Sequence, residues 1–260
     1  MSERRRDRPD VVQSLDRALG ILEILGRAEG ELSLAEVAAR VELPKSTVHR
    51  LLGTMELRGF VVRDPLSGVY RLGVGPAARP GFGPAAHQVL VDLAQSSGET
   101  ANLGTLVGRE ILYVDRADSP HALRWQLGIG SRVPAHAAGL GKAILAQLAA
   151  EAVRKLLPRR LKAYTDRTIT DRNALLDELA IVRRRGFAID NEEFMEGVRC
   201  VAAPVFDEAG RVVGAVSLAG PAFRLTPEAA AHQARPVVAA ARSVSLSLGY
   251  RPARRVGEGA

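Results

Sequence analysis

The sequence contains a single cysteine, Cys200, among its 260 residues. One thiol excludes an internal disulfide bond and any metal site built from several cysteines, and it is typical of proteins in a reducing compartment. The sequence also lacks a run of about 18 apolar residues, the length that a membrane-spanning helix requires, and it has no apolar stretch near its N-terminus of the kind found in signal peptides. We therefore expect a cytoplasmic protein that does not cross a membrane.

Basic residues are unevenly distributed along the chain. The formal net charge is +7 and the isoelectric point is about 10.1, values that favour anionic partners. Up to residue 71, however, cations and anions almost balance. Cations are in excess between residues 43 and 71, where Lys45, Arg50, Arg58, Arg63 and Arg71 face only Glu56 and Asp64. Local placement, more than total charge, therefore indicates a surface for a nucleic acid.

Residues 32–72 have the pattern of a winged helix-turn-helix. Ser33 can cap a short helix whose apolar residues recur every three to four positions. Pro44 suits the first turn of the next helix because its missing N–H would be unpaired there, and Val48 and Leu52 repeat the buried spacing. Gly59 is expected to stop this helix, and residues 60–63 and 69–72 to form two short strands joined by a turn.

The outward face of the second helix predicts binding to the major groove of double-stranded DNA. Hydroxyl groups and backbone amides near a helix N-terminus bind phosphate, and Arg50 can contact a guanine edge. The same pattern also occurs in winged helices that serve only protein contacts, and His49 could be a solvated helix residue. The predicted DNA-binding residues are Lys45, Ser46, Thr47, His49 and Arg50 on the helix, with Arg63 and Arg71 on the wing.

Composition divides the chain into five segments. Residues 1–10 are charged and are expected to form a disordered basic tail, and residues 251–260 a second disordered tail. Residues 11–72 form the winged helix-turn-helix domain, beginning with a helix whose apolar stripe can also meet another subunit. Residues 73–84 contain glycine and proline too densely for an unbroken helix and are interpreted as a linker. Residues 85–250 form the second domain. The stripe of the first helix contains Val12, Leu15, Leu19, Leu22 and Leu25.

The second domain is expected to be α+β with a largely antiparallel sheet, because hairpins alternate with segregated helices. Strands are predicted over 100–107, 110–115, 122–127, 187–190, 199–206 and 211–218. Helices are predicted over 85–96, 140–148 and 152–157, from Thr170-Asp171 to Arg185, and from Thr226 to about Leu248. Such a domain is typical of small-molecule sensors rather than of doubly wound nucleotide folds.

Four blocks of sequence resemble the IclR family of bacterial transcriptional regulators, and the resemblance covers nearly the whole chain. It implies an N-terminal winged helix, a GAF-like C-terminal effector domain, and homodimers that often pair into tetramers on palindromic operators. It also implies repression relieved or modulated by a small aliphatic or aromatic acid, with no cofactor. The blocks are Val12-Gln-Ser-Leu-Asp-Arg-Ala-Leu; Leu43-Pro-Lys-Ser-Thr-Val-His-Arg-Leu-Leu; Ser131-Arg-Val-Pro-Ala-His-Ala-Ala-Gly-Leu-Gly-Lys-Ala; and Gly186-Phe-Ala-Ile-Asp-Asn-Glu-Glu-Phe with Gly197-Val-Arg-Cys-Val-Ala-Ala-Pro-Val-Phe.

The family resemblance also implies the residues of an effector pocket. Two of them depart from the family pattern: Asn191 stands where aspartate is common, and Ala219 where binders of small acids can carry serine. These departures indicate a less polar or larger effector. The linker departs as well, since prolines and glycines replace a continuous helix. The implied effector-binding residues are Gly139, Leu140, Asn191, Cys200, Ser217 and Ala219.

Three further interpretations involve residues of the second domain. Cys200 could be a nucleophile with a histidine base, but a lone cysteine in an apolar strand is usually a buried, unreactive thiol. Trp125 and Tyr113 could line a pocket for an aromatic acid or simply belong to the core. Histidine, cysteine and acidic side chains could bind zinc, yet no short ligand spacing supports this. The residues weighed for catalysis or metal binding are His121, His136, Asp190, Glu192, Glu193 and Cys200. We expect neither a catalytic nor a metal site.

Overall fold

The computed structural model describes residues 12–28, 30–58, 60–63, 68–73, 82–125 and 127–251. The predictions for both tails, for Gly59, for the turn at 64–67 and for most of the linker fall outside these residues. Contacts divide the chain into two compact units, with the division between residues 79 and 80.

The first unit is a winged helix-turn-helix, as predicted. It contains α1 (Gln13–Arg27), α2 (Leu34–Arg40), α3 (Lys45–Leu57), and an antiparallel pair of strands, β1 (Val61–Arg63) and β2 (Tyr70–Leu72). Ser33 caps α2 as expected: its hydroxyl accepts a hydrogen bond from the Glu36 amide, while the Glu36 carboxylate accepts one from the Ser33 amide at 2.8 Å. The core residues Val37, Val48 and Leu52 are fully buried.

The apolar stripe of α1 is only partly used inside this unit. Leu25 is buried as expected, but the principal buried residue of the helix is Ile21, which lies outside the predicted stripe. Val12, Leu15 and Leu19 remain 64%, 58% and 50% exposed. Helix α1 therefore anchors its C-terminal half in the core and leaves an apolar surface on its N-terminal half.

The second unit is α+β, with one six-stranded antiparallel sheet, as predicted. The strands lie in the order β5-β4-β3-β8-β7-β6. Helices α4 and α8 pack against each other and against the sheet, while α5 packs on the face that carries Cys200 and Ala202. The elements are α4 (Gly83–Ser97), β3 (Thr100–Val107), β4 (Glu110–Ala117), β5 (Arg132–Pro134), α5 (Gly139–Leu145), α6 (Ala150–Leu156), α7 (Arg172–Arg185), β6 (Ala188–Asn191), β7 (Val198–Phe206), β8 (Val212–Pro221) and α8 (Pro227–Ser247).

The prediction of a strand over residues 122–127 is wrong. Residues 122–125 and 127 have no regular structure, because their carbonyl groups bind side chains instead of a neighbouring strand. Thr100 donates to the Trp125 carbonyl at 3.1 Å, and Arg116 donates to the Leu127 carbonyl at 2.7 Å. The strand next to β4, at this edge of the sheet, is instead β5, which follows this segment and has only three residues.

Candidate DNA-binding face and effector site

Helix α3 presents polar side chains on the side opposite its buried residues. Lys45, Ser46, His49 and Arg50 are exposed, and Thr47 is half-buried. The spacing of Val48 and Leu52 fixes this orientation, since both side chains are fully buried in the core of the first unit. The structure thus brings all five predicted residues of α3 to one end of one helix.

The N-terminus of α3 is suited to an anion. Pro44 occupies the N-cap position and makes no side-chain hydrogen bond to the first turn, which contains no acidic residue. Backbone amides at such a terminus carry partial positive charge and can donate to a phosphate.

The two wing arginines differ in their surroundings. Arg63 is exposed, and its guanidinium carbon lies 5.8 Å from the centre of the Tyr70 ring. Arg71 is half-buried, and its Nε lies 3.3 Å from a carboxylate oxygen of Glu31. Arg63 therefore offers its charge to solvent, whereas part of the charge of Arg71 is offset by its own domain.

In the second unit, polar and small residues share the sheet face that α5 covers, here called the α5 face. Directly opposite residues on neighbouring strands point to the same side of a sheet. Two adjacent rows therefore cross β3, β8, β7 and β6 on this face. One row is Thr100, Ala219, Cys200 and Asp190, and the other is Asn102, Ser217, Ala202 and Ala188.

Helix α5 lies close against these rows because it begins with glycine. A Cβ atom at Gly139 would lie 2.8 Å from the Cys200 sulfur and 3.6 Å from the Ala202 Cβ. Leu140 is 1% exposed, and its backbone amide hydrogen-bonds the Cys200 thiol. Five of the six residues that the resemblance implies for the effector site, all except Asn191, are therefore buried on this face or against it.

Asn191 does not lie on this face, and its role in effector binding stays a prediction. Asn191 pairs with Arg199 in the strand ladder, its side-chain oxygen accepts a hydrogen bond from Arg199 Nε at 2.8 Å, and it is exposed. Its neighbour Asp190 pairs with Cys200 and is 6% exposed. Because successive residues of a strand point to opposite faces, Asp190 takes the position expected for Asn191. The α5 face therefore carries an aspartate at this place in β6, one residue before Asn191.

Buried charges lie next to Cys200 and Asp190. Lys142 of α5 forms an ion pair with Glu193, and both side chains are less than one-tenth exposed. Burial, together with the charge of Glu193, raises the pKa of Asp190 to about 7. Burial also raises the pKa of the Cys200 thiol to about 12, and the charge of Asp190 adds to this effect. Burial of this lysine was not predicted from the sequence, since charged residues are usually exposed.

Tyr113 belongs to the same polar group. It is 6% exposed, its hydroxyl is hydrogen-bonded by the Trp125 side chain, and burial raises its pKa. An open cleft of about 440 Å³ adjoins the group from the side of β6 and reaches Lys142, Glu193 and Asn191. Asn191 thus lines this cleft, although it does not face Cys200.

Replacement of Asp190 by Asn is expected to flatten the pH dependence of stability. A carboxyl group whose pKa rises on folding stabilises the folded state while it is protonated, and this contribution is lost as the pH rises through about 7. For Asp190 we expect a loss of about 2 to 3 kcal/mol between pH 5 and pH 8. Denaturant unfolding of the second unit at both pH values measures it.

Asp207→Asn is the matched control, because the Asp207 pKa is lowered by a backbone hydrogen bond from Arg211 and the group does not titrate in this range. An equal pH dependence in the wild-type protein and in Asp190→Asn would contradict the assignment of the buried proton to Asp190.

Neither catalysis by Cys200 nor metal binding has geometric support. The thiol is buried, and the polar groups beside it are the Leu140 amide and the Ser217 hydroxyl rather than a histidine. His136 instead contacts the Lys162 carbonyl at 2.9 Å. Within the described ranges, no three histidine, cysteine or acidic side chains are close enough to hold a metal ion.

Among the helices in the described part of the chain, none has the length and apolar character needed to span a membrane.

Both units of the chain match family models of bacterial transcriptional regulators. Residues 14–65 match the IclR helix-turn-helix domain, and residues 83–246 match the bacterial transcriptional regulator IclR C-terminal domain. The chain belongs to the IclR family. It is therefore a transcriptional regulator with a helix-turn-helix DNA-binding domain, and not an enzyme.

Individual IclR proteins are similar over almost their whole length. The transcriptional repressor IclR of Escherichia coli is 39% identical, over 92% of this chain and 90% of its own. The regulator BhcR of Paracoccus denitrificans is 38% identical, over 95% of this chain and 90% of its own. The crystal structure of Thermotoga maritima IclR superposes with a TM-score of 0.65 at 30% identity, covering 92% of this chain and all of that one.

Proposed function

We propose that this IclR-family protein is a repressor that binds a palindromic operator through α3 and the wing and that releases it in response to a small organic acid. We also propose that it acts in the cytoplasm. The observation that carries the DNA-binding part is the end of α3, where exposed cations and hydroxyls surround a helix N-terminus without an acidic residue. In this proposal Lys45 and Ser46 contact phosphate, and Arg50, one turn further along the helix, contacts a base edge.

Replacement of Arg50 by Ala is expected to weaken operator binding by about 1 to 3 kcal/mol, the range for an arginine that contacts a guanine. The operator is first selected from random duplexes, and affinity is then measured by fluorescence anisotropy at several salt concentrations. Non-specific binding should change far less, because a base contact adds affinity only at the correct sequence.

Arg27→Ala is the matched control, since it removes the same charge from an exposed residue of α1 that pairs with Glu23. Equal affinity of Arg50→Ala and Arg27→Ala for the operator would refute the role of Arg50. Absence of any sequence-preferring, salt-dependent DNA binding by the wild-type protein would favour a winged helix used only for protein contacts.

A homodimer is the smallest assembly that fits this proposal. A palindromic operator presents two equivalent half-sites, and a twofold dimer can place one recognition helix in each of two successive major grooves. The exposed Val12, Leu15 and Leu19 give α1 an apolar surface that a second copy can cover. Pairing of two such dimers on one operator is the corresponding tetramer.

The effector part of the proposal rests on the α5 face. Polar groups of Cys200, Ser217, Tyr113 and Asp190 meet there within an otherwise apolar interior, as is typical of sites for small ligands. The ligand must bind the DNA-competent and DNA-incompetent arrangements with different affinity, typically by about 1 to 3 kcal/mol.

A thermal-shift screen against small aliphatic and aromatic acids tests the effector class. A ligand that binds only the folded protein raises the unfolding midpoint as its concentration rises. Ser217→Ala and Cys200→Val should reduce the response to the acid while leaving operator binding without ligand intact. Loss of DNA binding in both variants would show that these residues are structural, and no response to any acid would contradict the effector class.

A further inference from the structure

We propose that Asn102 is a specificity-determining residue of the effector site and that it selects an acid carrying a hydroxyl group. This inference rests on the effector function proposed above. Asn102 lies on β3, on the α5 face, and is fully buried. Its side-chain nitrogen makes one long hydrogen bond, 3.4 Å, to the Thr100 carbonyl, and its side-chain oxygen has no hydrogen-bond partner among the described residues.

Ser217 stands directly opposite Asn102 in the ladder between β3 and β8 and is also fully buried. Its oxygen lies beside the Cys200 thiol, but no hydrogen bond of ordinary geometry within the described part of the chain satisfies it. Buried polar atoms are almost always paired in folded proteins, because an unpaired one loses its hydration without replacement. Two unpaired atoms on facing residues therefore indicate a partner that binds between them.

The chemistry of the two atoms defines that partner. The oxygen of Asn102 can only accept a hydrogen bond, whereas the Ser217 hydroxyl can donate one. A ligand hydroxyl group satisfies both, donating to Asn102 and accepting from Ser217. A methylene group at the same place would leave both atoms unpaired, and sites of this kind discriminate strongly against ligands that lack the hydroxyl.

The acid part of the ligand comes from the effector function proposed above, and the surroundings of Asn102 and Ser217 bear on its size. Arg116 of β4 stands opposite Asn102 on its other side, with its side chain 19% exposed. Its guanidinium binds the Leu127 carbonyl at 2.7 Å and the Asp118 carboxylate at 2.6 Å, so part of its charge is offset within the domain. Ala202 and Ala219 leave small side chains beside Ser217. Asn102, Ser217 and these small neighbours favour a small hydroxy acid over the same acid without its hydroxyl group, and 2-hydroxy acids are the simplest probes of that preference.

Isothermal titration calorimetry on the full-length protein tests the inference with matched acids. The pairs are lactate against propanoate and mandelate against phenylacetate, with both enantiomers of each hydroxy acid. In at least one pair we expect the dissociation constant of the hydroxy acid to be lower than that of its partner by about tenfold or more. One net hydrogen bond gives a ratio of about this size. In Asn102→Leu the ratio should fall to near one.

Thr100→Val is the control, because Thr100 lies on the same face but its hydroxyl is already bound to the Trp125 carbonyl. This variant should keep the preference for the hydroxy acid. If Asn102→Leu does not fold, Ser217→Ala removes the other half of the pair and should reduce the ratio in the same way. Equal affinity within every pair that binds, or an unchanged preference in Asn102→Leu, overturns the role of Asn102. Binding of none of the acids contradicts the proposed effector class itself.

Discussion

Replacing Gly141 by Ala is expected to destabilise the second unit by more than about 3 kcal/mol, a cost at the upper end of the range for overpacked cores. Gly141 lies in the middle of α5, and a Cβ atom there would overlap the backbone of Ala135. Backbone atoms cannot rotate away as a flexible side chain can, so α5 must shift or the segment before it must unfold. Chemical denaturation followed by circular dichroism measures the loss.

Gly128→Ala is the matched control in the same unit. A Cβ atom at Gly128 would meet only the Ser131 hydroxyl oxygen, at an ordinary distance of 3.8 Å. This exposed position should tolerate alanine with a change within about 0.5 kcal/mol. Similar unfolding curves for Gly141→Ala and Gly128→Ala would show that α5 can move away from the 135 backbone without penalty.

Replacing Lys142 by Met is the second change with a large expected effect, a loss of about 3 to 5 kcal/mol in the free energy of unfolding. Lys142 is 1% exposed and Glu193 is 6% exposed, so the variant leaves a buried carboxylate without its cation. One Glu193 oxygen, Oε2, already lacks a hydrogen-bond partner within the described ranges, which increases its dependence on Lys142.

The double variant Lys142→Met with Glu193→Gln separates charge from packing. It removes the uncompensated charge and should regain more than half of the loss, because a neutral amide needs no ion-pair partner. Urea unfolding of the wild type, both single variants and the double variant gives the coupling between the two residues. Additive effects of the two single changes would rule out a stabilising ion pair.

The sequence predicted this fold well where helix-capping residues and the spacing of apolar residues indicate the same element. Helix α2 has a capping serine and a glutamate three residues later, and α7 begins after Asp171, whose carboxylate accepts hydrogen bonds from two amides of the first turn. Such signals act over a few residues and need no knowledge of the tertiary structure. The helix-turn-helix was predictable for the same reason.

The sequence-based predictions fail where contacts between residues far apart in the chain determine the local structure. Residues 122–127 have the apolar composition of a strand, but their carbonyl groups bind side chains from β3, β4 and the segment before α8, among them Arg224 to the Leu123 carbonyl. No local pattern contains that information. The same holds for Lys142, whose burial depends on a glutamate 51 positions further along the chain.

Most of the residues that the family resemblance implies for an effector site lie on one face of the sheet, and their role in binding stays a prediction. Family resemblance indicated Cys200 and Ser217 correctly as neighbours on one face of the sheet, but it placed Asn191 where Asp190 lies. The shift of one residue follows from the pairing of Asp190 with Cys200 between β6 and β7, and that register is known only from the structure. Asn102 gave no signal, because a buried asparagine in a strand looks like any other polar residue until its partners are known.

The small residues of the α5 face have a consequence for how such a regulator can diversify. Ala202, Ala219 and Ser217 line one side of the sheet, while Val201, Leu218 and Val216 alternate with them towards α4 and α8. Under the proposed effector function, a substitution on the first side alters what a bound effector contacts, while the residues that hold the helices on the second side stay unchanged. Under the same proposal, a duplicated gene can acquire a different effector through a few mutations on the first side, without altering the packing of α4 and α8.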